Sequence, residues 1–167
     1  MAMLSRRRFA LLLPTAALAA CGFELRRDSE LKIHAICLQG FKPESPMLAE
    51  LRRQLGRSQV RLEDDPQRAE LVLETKRDLR DKTVVASTSA GQVREWQLRL
   101  RFDFQLHTPG GELLLPRTEL RLTREMNYTE TAALAKEQEE AALYRAMQSD
   151  AVAQVMRHLA AVRLPTT

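Results

Sequence analysis

The sequence predicts an α+β fold: a two-layer sandwich in which a mostly antiparallel sheet is covered on one face by two helices. Three observations carry this expectation. From Glu95 to Leu106, twelve residues alternate polar and apolar without a miss, with Trp96, Leu98, Leu100, Phe102, Phe104 and Leu106 on one side. A strand of that pattern buries one face and wets the other, as antiparallel sheets allow. From Lys136 to Val162, the residues Leu143, Met147, Ala151, Val155, Leu159 and Val162 form a helical stripe, widened by Val152 and Met156 until it can cover a sheet. From Pro46 to Leu55, Met47, Leu48, Leu51 and Leu55 recur at three- and four-residue spacing.

Size and charge agree with one domain, or one domain plus a processed segment. The chain has 167 residues, 44% of them apolar, and two cysteines, too few for a disulfide-stapled mini-protein. Its formal charge is +4, but Arg6, Arg7 and Arg8 lie in the first twenty residues, which contain no acid. Taking those three from the 26 basic residues leaves 23 against 22 acidic ones. A nucleic-acid binder keeps its positive excess in the folded part, so no nucleic-acid partner is expected.

Residues 1–20 have the anatomy of a lipoprotein signal peptide. Arg6–Arg8 form a basic n-region, Phe9–Leu18 an apolar stretch of ten residues, and Leu18-Ala19-Ala20-Cys21 a lipobox-like end. Ten apolar residues are too few to span a bilayer, which takes about 20. Cleavage before Cys21 and acylation of its thiol and new amine would anchor the mature chain, each buried CH₂ adding ~0.8 kcal/mol. Ser5-Arg6-Arg7-Arg8-Phe9-Ala10-Leu11 is similar to a twin-arginine export signal, with Ala10 where Leu is preferred; a plain n-region is the other reading.

Residues 21–31 then form a polar tether, and 32–164 the single domain. Lys32–Leu38 is a first strand carrying Cys37, which is expected to be a buried free thiol. Ser45 is placed to cap the helix that begins at Pro46, and Gly56 to stop it. Val60 and Leu62 lie in a short strand broken by Asp64-Asp65-Pro66. A strand opens at Leu71–Thr75 and runs, interrupted, to Val84-Val85. Ser87–Gly91 turns into the alternating strand. Pro109-Gly110-Gly111 turns out of it, and Leu113–Glu125 returns with Leu120 and Leu122 inward. Pro116 marks an edge or a bulge near the start of that strand. Glu137, Glu139 and Glu140 in the first turns of the last helix, and Arg157 near its end, would suit the helix dipole.

Chemistry is sparse. His34, His107 and His158 fall on different elements, and HExxH, CxxC, G-x-S-x-G and a Gly-rich phosphate loop are all missing from the sequence. No catalytic residue, metal or cofactor is expected, and the chain does not read as an enzyme.

Several segments resemble the LptE family of lipopolysaccharide-assembly lipoproteins. Cys21-Gly22-Phe23-Glu24-Leu25-Arg26 is similar to the family's mature start. Gly91-Gln92-Val93-Arg94-Glu95-Trp96-Gln97-Leu98 is similar to its hairpin entry, and Ala133-Leu134-Ala135-Lys136-Glu137-Gln138-Glu139 to the opening of its long helix. The order strand–helix–strands–helix also agrees. The resemblance implies a lipid-anchored outer-membrane protein, facing the periplasm, that plugs the lumen of an LptD-type β-barrel, helps it assemble, and binds lipopolysaccharide. It also implies that Lys136 contacts lipopolysaccharide phosphate; Arg94 is expected to help it, as a substitute for a basic family residue that is not matched here. A basic residue that the family carries before Gly-Gln is not matched, since Ser89-Ala90 stand there; Arg99 and Arg101 are either substitutes or an ordinary solvated strand face. Lys136 could instead pair with Glu140 at i+4, worth ~0.2–0.5 kcal/mol. The rival from another class is a generic periplasmic lipoprotein chaperone or adaptor that binds proteins and no glycolipid.

Overall fold

The structure is a computed structural model describing residues 31–165. The signal peptide, Cys21 and nearly all of the tether lie outside the described residues. The elements are β1 (Ala35–Gln39), α1 (Pro46–Arg57), β2 (Arg61–Glu63), a 3-10 turn (Pro66–Arg68), β3 (Leu71–Ser87), β4 (Val93–His107), β5 (Leu113–Asn127), a second 3-10 turn (Glu130–Ala132) and α2 (Ala133–Ala161).

One five-stranded sheet runs in the order β2-β1-β3-β4-β5. The long strands β3, β4 and β5 form an antiparallel meander, as expected, whereas β1 pairs in parallel with both β2 and β3. The parallel pairs follow from the connections. The helix α1, between β1 and β2, and the 3-10 turn, between β2 and β3, lie in the crossovers that let these three strands run parallel. Both helices pack on one face, so the two-layer expectation holds.

The core lies between them. Leu98, Leu100, Phe102, Phe104 and Leu106 of β4 are fully buried beside Leu71 and Leu73 of β3 and Ile36 of β1. From above come Met47, Leu51 and Leu55 of α1, and Met147, Ala151, Val152, Val155 and Leu159 of α2. Each large apolar side chain fully buried here is worth ~1.5–3 kcal/mol relative to exposure. Phe41, Phe102 and Phe104 stack in sequence, with ring centroids 5.9 and 5.6 Å apart. His158 meets Phe104 edge-on at 5.7 Å.

Local signals mostly act where expected. Ser45 Oγ accepts from the Leu48 amide at 3.1 Å and donates to Asp78 at 2.5 Å, capping α1 and tying it to β3. The stop is different: Gly56 lies inside α1, and the left-handed residue is Gln59, φ 59°. Ser58 ends the helix instead, its amide and hydroxyl both donating to the Gln54 carbonyl. In α2 the order is shifted by an earlier start. The helix begins at Ala133, so Glu137, Glu139 and Glu140 fall beyond its first turn, which contains no acid and no capping side chain. Pro116 does mark an irregularity, because the β4–β5 register slips between the Thr118 and Leu115 pairs, on the free edge of the sheet.

The opposite face departs most from expectation. Near β1 it is apolar, with Cys37, Ala69 and Val72 packed together; Cys37 is a buried free thiol that burial pushes above its ordinary pKa. Farther along it is a network of ion pairs rather than a plain solvated face. Asp81 receives Arg99 at 2.6 Å and Arg101 at 2.7 Å, and both guanidiniums hold its carboxyl below the usual range. Asp103 is only 2% exposed, covered by Arg117 and by Arg77 at 3.8 Å. Arg77 also reaches Glu119 at 3.6 Å, and Glu119 holds Arg121 at 2.7 Å.

Candidate functional site

The β3–β4 hairpin closes through Thr88. Its amide donates to the Gln92 carbonyl at 2.8 Å, and its carbonyl accepts from Gly91 at 2.9 Å. Gly91 takes φ +80°, a conformation open to glycine at no steric cost. Beneath this turn, where α2 begins, lies a hollow of about 420 Å³. Lys82 of β3, Trp96 of β4, Tyr128 and Lys136 of α2 line it. Trp96 and Tyr128 meet edge-to-face at 6.5 Å, and the Lys82 ammonium stands 5.1 Å from the Trp96 ring centroid. Aromatic walls and ammonium groups of this kind suit a ligand with both a flat or apolar body and anionic groups.

Both lysines are engaged. Lys136 Nζ lies 2.7 Å from Glu139, and Lys82 Nζ lies 2.7 Å from Glu140. The i+4 pairing anticipated for Lys136 and Glu140 is therefore replaced by i+3 pairing, because Glu140 is taken across the layers by β3. Glu130, Glu137 and Glu140 also line the hollow, so its acids outnumber its lysines. An entering anion must displace carboxylates from the ammonium groups.

Arg94 sits beside this hollow. The β3–β4 register inserts Arg94 as an extra residue between the Ala86–Glu95 and Ser87–Val93 pairs. That bulge places it in an adjoining hollow of about 210 Å³ with Thr129, Glu130 and Thr131. Gln92, Val93 and Glu130 belong to both hollows. Arg99 and Arg101 are on the other face of the sheet, bound to Asp81, and cannot substitute in this site.

Lys82 is the residue that sequence reasoning missed. It also lines a second groove, of about 850 Å³, between α1, α2 and β3. There Arg80 donates to Gln148 and stands 5.8 Å from the Tyr144 ring centroid. Gln148 in turn donates to the Pro46 carbonyl at 2.7 Å, and Tyr144 OH donates to the Asp81 carbonyl at 2.7 Å. These bonds join the two helices to β3. Among the described residues no His, Cys, Asp or Glu cluster is placed to hold a metal, and no helix is long and apolar enough to cross a membrane. His34 and His107 lie near Glu70 and Glu74, at 3.4 and 3.8 Å, in two separate pairs.

Comparison with known proteins agrees over most of the chain. Residues 33–159 match the family model described as Lipopolysaccharide-assembly, LptE. An LPS-assembly lipoprotein LptE from Yersinia enterocolitica is 31% identical over 147 residues, covering 86% of this chain and 70% of that protein. One from Pectobacterium atrosepticum is 29% identical over 158 residues, covering 92% and 85%. The solution NMR structure of an uncharacterized lipoprotein B from Nitrosomonas europaea superposes with a TM-score of 0.71 at 29% identity, covering 84% of this chain and 91% of that one. The crystal structure of a minor lipoprotein from Acinetobacter baumannii shares the fold, with a TM-score of 0.65 at 20% identity, covering 82% and 99%. With the family match running from Ile33 to Leu159, through the sheet, the hairpin and α2, this chain belongs to the LptE family of lipopolysaccharide-assembly proteins.

Proposed function

We propose that this protein is an outer-membrane lipoprotein, anchored through acylated Cys21, that binds lipopolysaccharide at the hairpin hollow and plugs the lumen of an LptD-type β-barrel whose assembly it assists. The observation that carries the reading is Lys136 in a hollow walled by Trp96 and Tyr128, within a family that assembles lipopolysaccharide. Lys136 supplies an ammonium for a phosphate, and Arg94 a guanidinium in the adjoining hollow. The ring faces suit the sugar and apolar parts of the glycolipid. A lumen plug must tolerate a water-lined, polar wall, and the charged face of β3, β4 and β5 supports that role.

The test is isolation of the full chain from native membranes in mild detergent. A large β-barrel should co-elute, and the intact mass should be that of a chain cleaved before Cys21 and carrying acyl groups. Recovery with soluble periplasmic proteins and no barrel would favour the generic adaptor. An uncleaved, unmodified N-terminus would refute the anchor.

A further inference from the structure

We infer that Lys82 is a second ligand-binding cation of the hairpin hollow, held in reserve by Glu140 and released to a phosphate of the bound glycolipid. This rests on the reading of that hollow as a lipopolysaccharide site.

Four features support it. Lys82 lines the hollow together with Lys136, so one multiply phosphorylated ligand can face both ammonium groups. Its present partner is replaceable: the Lys82 and Glu140 side chains are 41% and 23% exposed, and pairs in such solvent contact are worth little. A phosphate offers more charge and more acceptor oxygens than one carboxylate, so it competes well for an ammonium. The Lys82 ammonium already stands 5.1 Å from the Trp96 ring centroid, a cation–π contact that can hold it at the hollow while its partner changes. The neighbouring cation Arg80 is different, since it is bound to Gln148 and stacked against Tyr144, away from the hollow.

Glu140 then has a function opposite to that of Lys82. It neutralises the ammonium when the site is empty and repels the incoming phosphate. A merely structural ion pair would make both residues act in the same direction. Trp96 is the chain's single tryptophan, so its emission reports directly on whether Lys82 moves.

The experiment measures binding of the purified full chain to lipopolysaccharide micelles, followed by Trp96 fluorescence. A parallel arm uses the same lipopolysaccharide after enzymatic removal of its phosphates. Lys82→Gln should weaken binding about tenfold, the scale of one charged hydrogen bond, and Lys82→Arg should restore most of it. Glu140→Gln should tighten binding, by up to about fivefold. Thermal unfolding of each variant, measured alongside, separates lost binding from lost folding. If Lys136→Asp weakens binding while Lys82→Gln and Glu140→Gln leave it unchanged, the role of Lys82 is overturned and the hollow stands. Weakening by Glu140→Gln would also overturn it, leaving the pair structural. Equal binding of the dephosphorylated glycolipid would overturn both the inference and the reading beneath it.

Discussion

At Gly40 the chain leaves β1 with φ +77°, and a Cβ built there would lie 2.4 Å from the Thr75 carbonyl oxygen. Neither problem can be relieved by a rotamer change, since the obstacle is backbone. Gly40→Ala should therefore destabilise the domain by about 1–3 kcal/mol, seen as a lower urea midpoint with an unchanged slope. An unchanged midpoint would mean that the β1 exit is free to move. The same residue scale explains why one candidate was legible and another was not. Lys136 stands in a local sequence similar to the family's helix opening, whereas Lys82 has no such context. Lys82 reaches the hollow only because β3 and β4 pair with Lys82 opposite Leu98. Counting outward from Ala90, both lie eight residues from the turn centre, and that count alone would have put Lys82 opposite Leu98, on the same face as Trp96 two residues away.

At the scale of elements, β4 was legible because its two faces never mix, and α1 because its stripe and its cap coincide. β3 was only half legible. A bulge between Thr75 and Arg77 shifts the faces by one residue, and beyond it Asp78, Arg80 and Lys82 are the side chains beneath the helices. Polar residues on the covered face erase the hydrophobic period that sequence reading depends on. Periodicity set the start of α2 at Lys136 rather than Ala133 for a related reason: it has no capping side chain, and its buried residues begin only at Met147. A helix end with few buried contacts opens locally at low cost. Amide exchange in 133–142 should accordingly be much faster than in 147–159, as hydrogen–deuterium exchange with peptide resolution can check. Uniform protection along α2 would contradict this.

The ion-pair face of β3–β5 has a pH consequence. Asp81 is held below its ordinary value of 3.8 by hydrogen bonds from Arg99 and then Arg101, and Glu119 below 4.5 by its bond from Arg121. Groups with depressed folded-state values add stability that is complete above the ordinary value. That stability is lost as pH falls through the ordinary value toward the depressed one. Melting temperature should thus hold from neutral pH to about 4.5 and then fall, and Asp81→Asn should shallow the fall. A variant as acid-sensitive as the parent would assign the loss to other carboxylates.

At the scale of the whole molecule, the fold is a sheet with one largely apolar face covered by two helices and the other largely surfaced by ion pairs. Such a body keeps a charged layer outward while a hairpin and a helix start enclose the hollow at one end. That arrangement suits a domain surrounded by a polar lumen wall and handed an anionic amphiphile at its tip. The fold class was legible from periodicity alone; the family was legible only from the family-like segments, because no catalytic or metal-binding spacing pointed to chemistry. The most direct measurement is the amount of lipopolysaccharide at the surface of intact cells depleted of this protein, read by surface labelling. The account predicts that surface lipopolysaccharide falls together with the amount of correctly assembled barrel, and that both return when the full chain is restored. Undiminished surface lipopolysaccharide in depleted cells would contradict it.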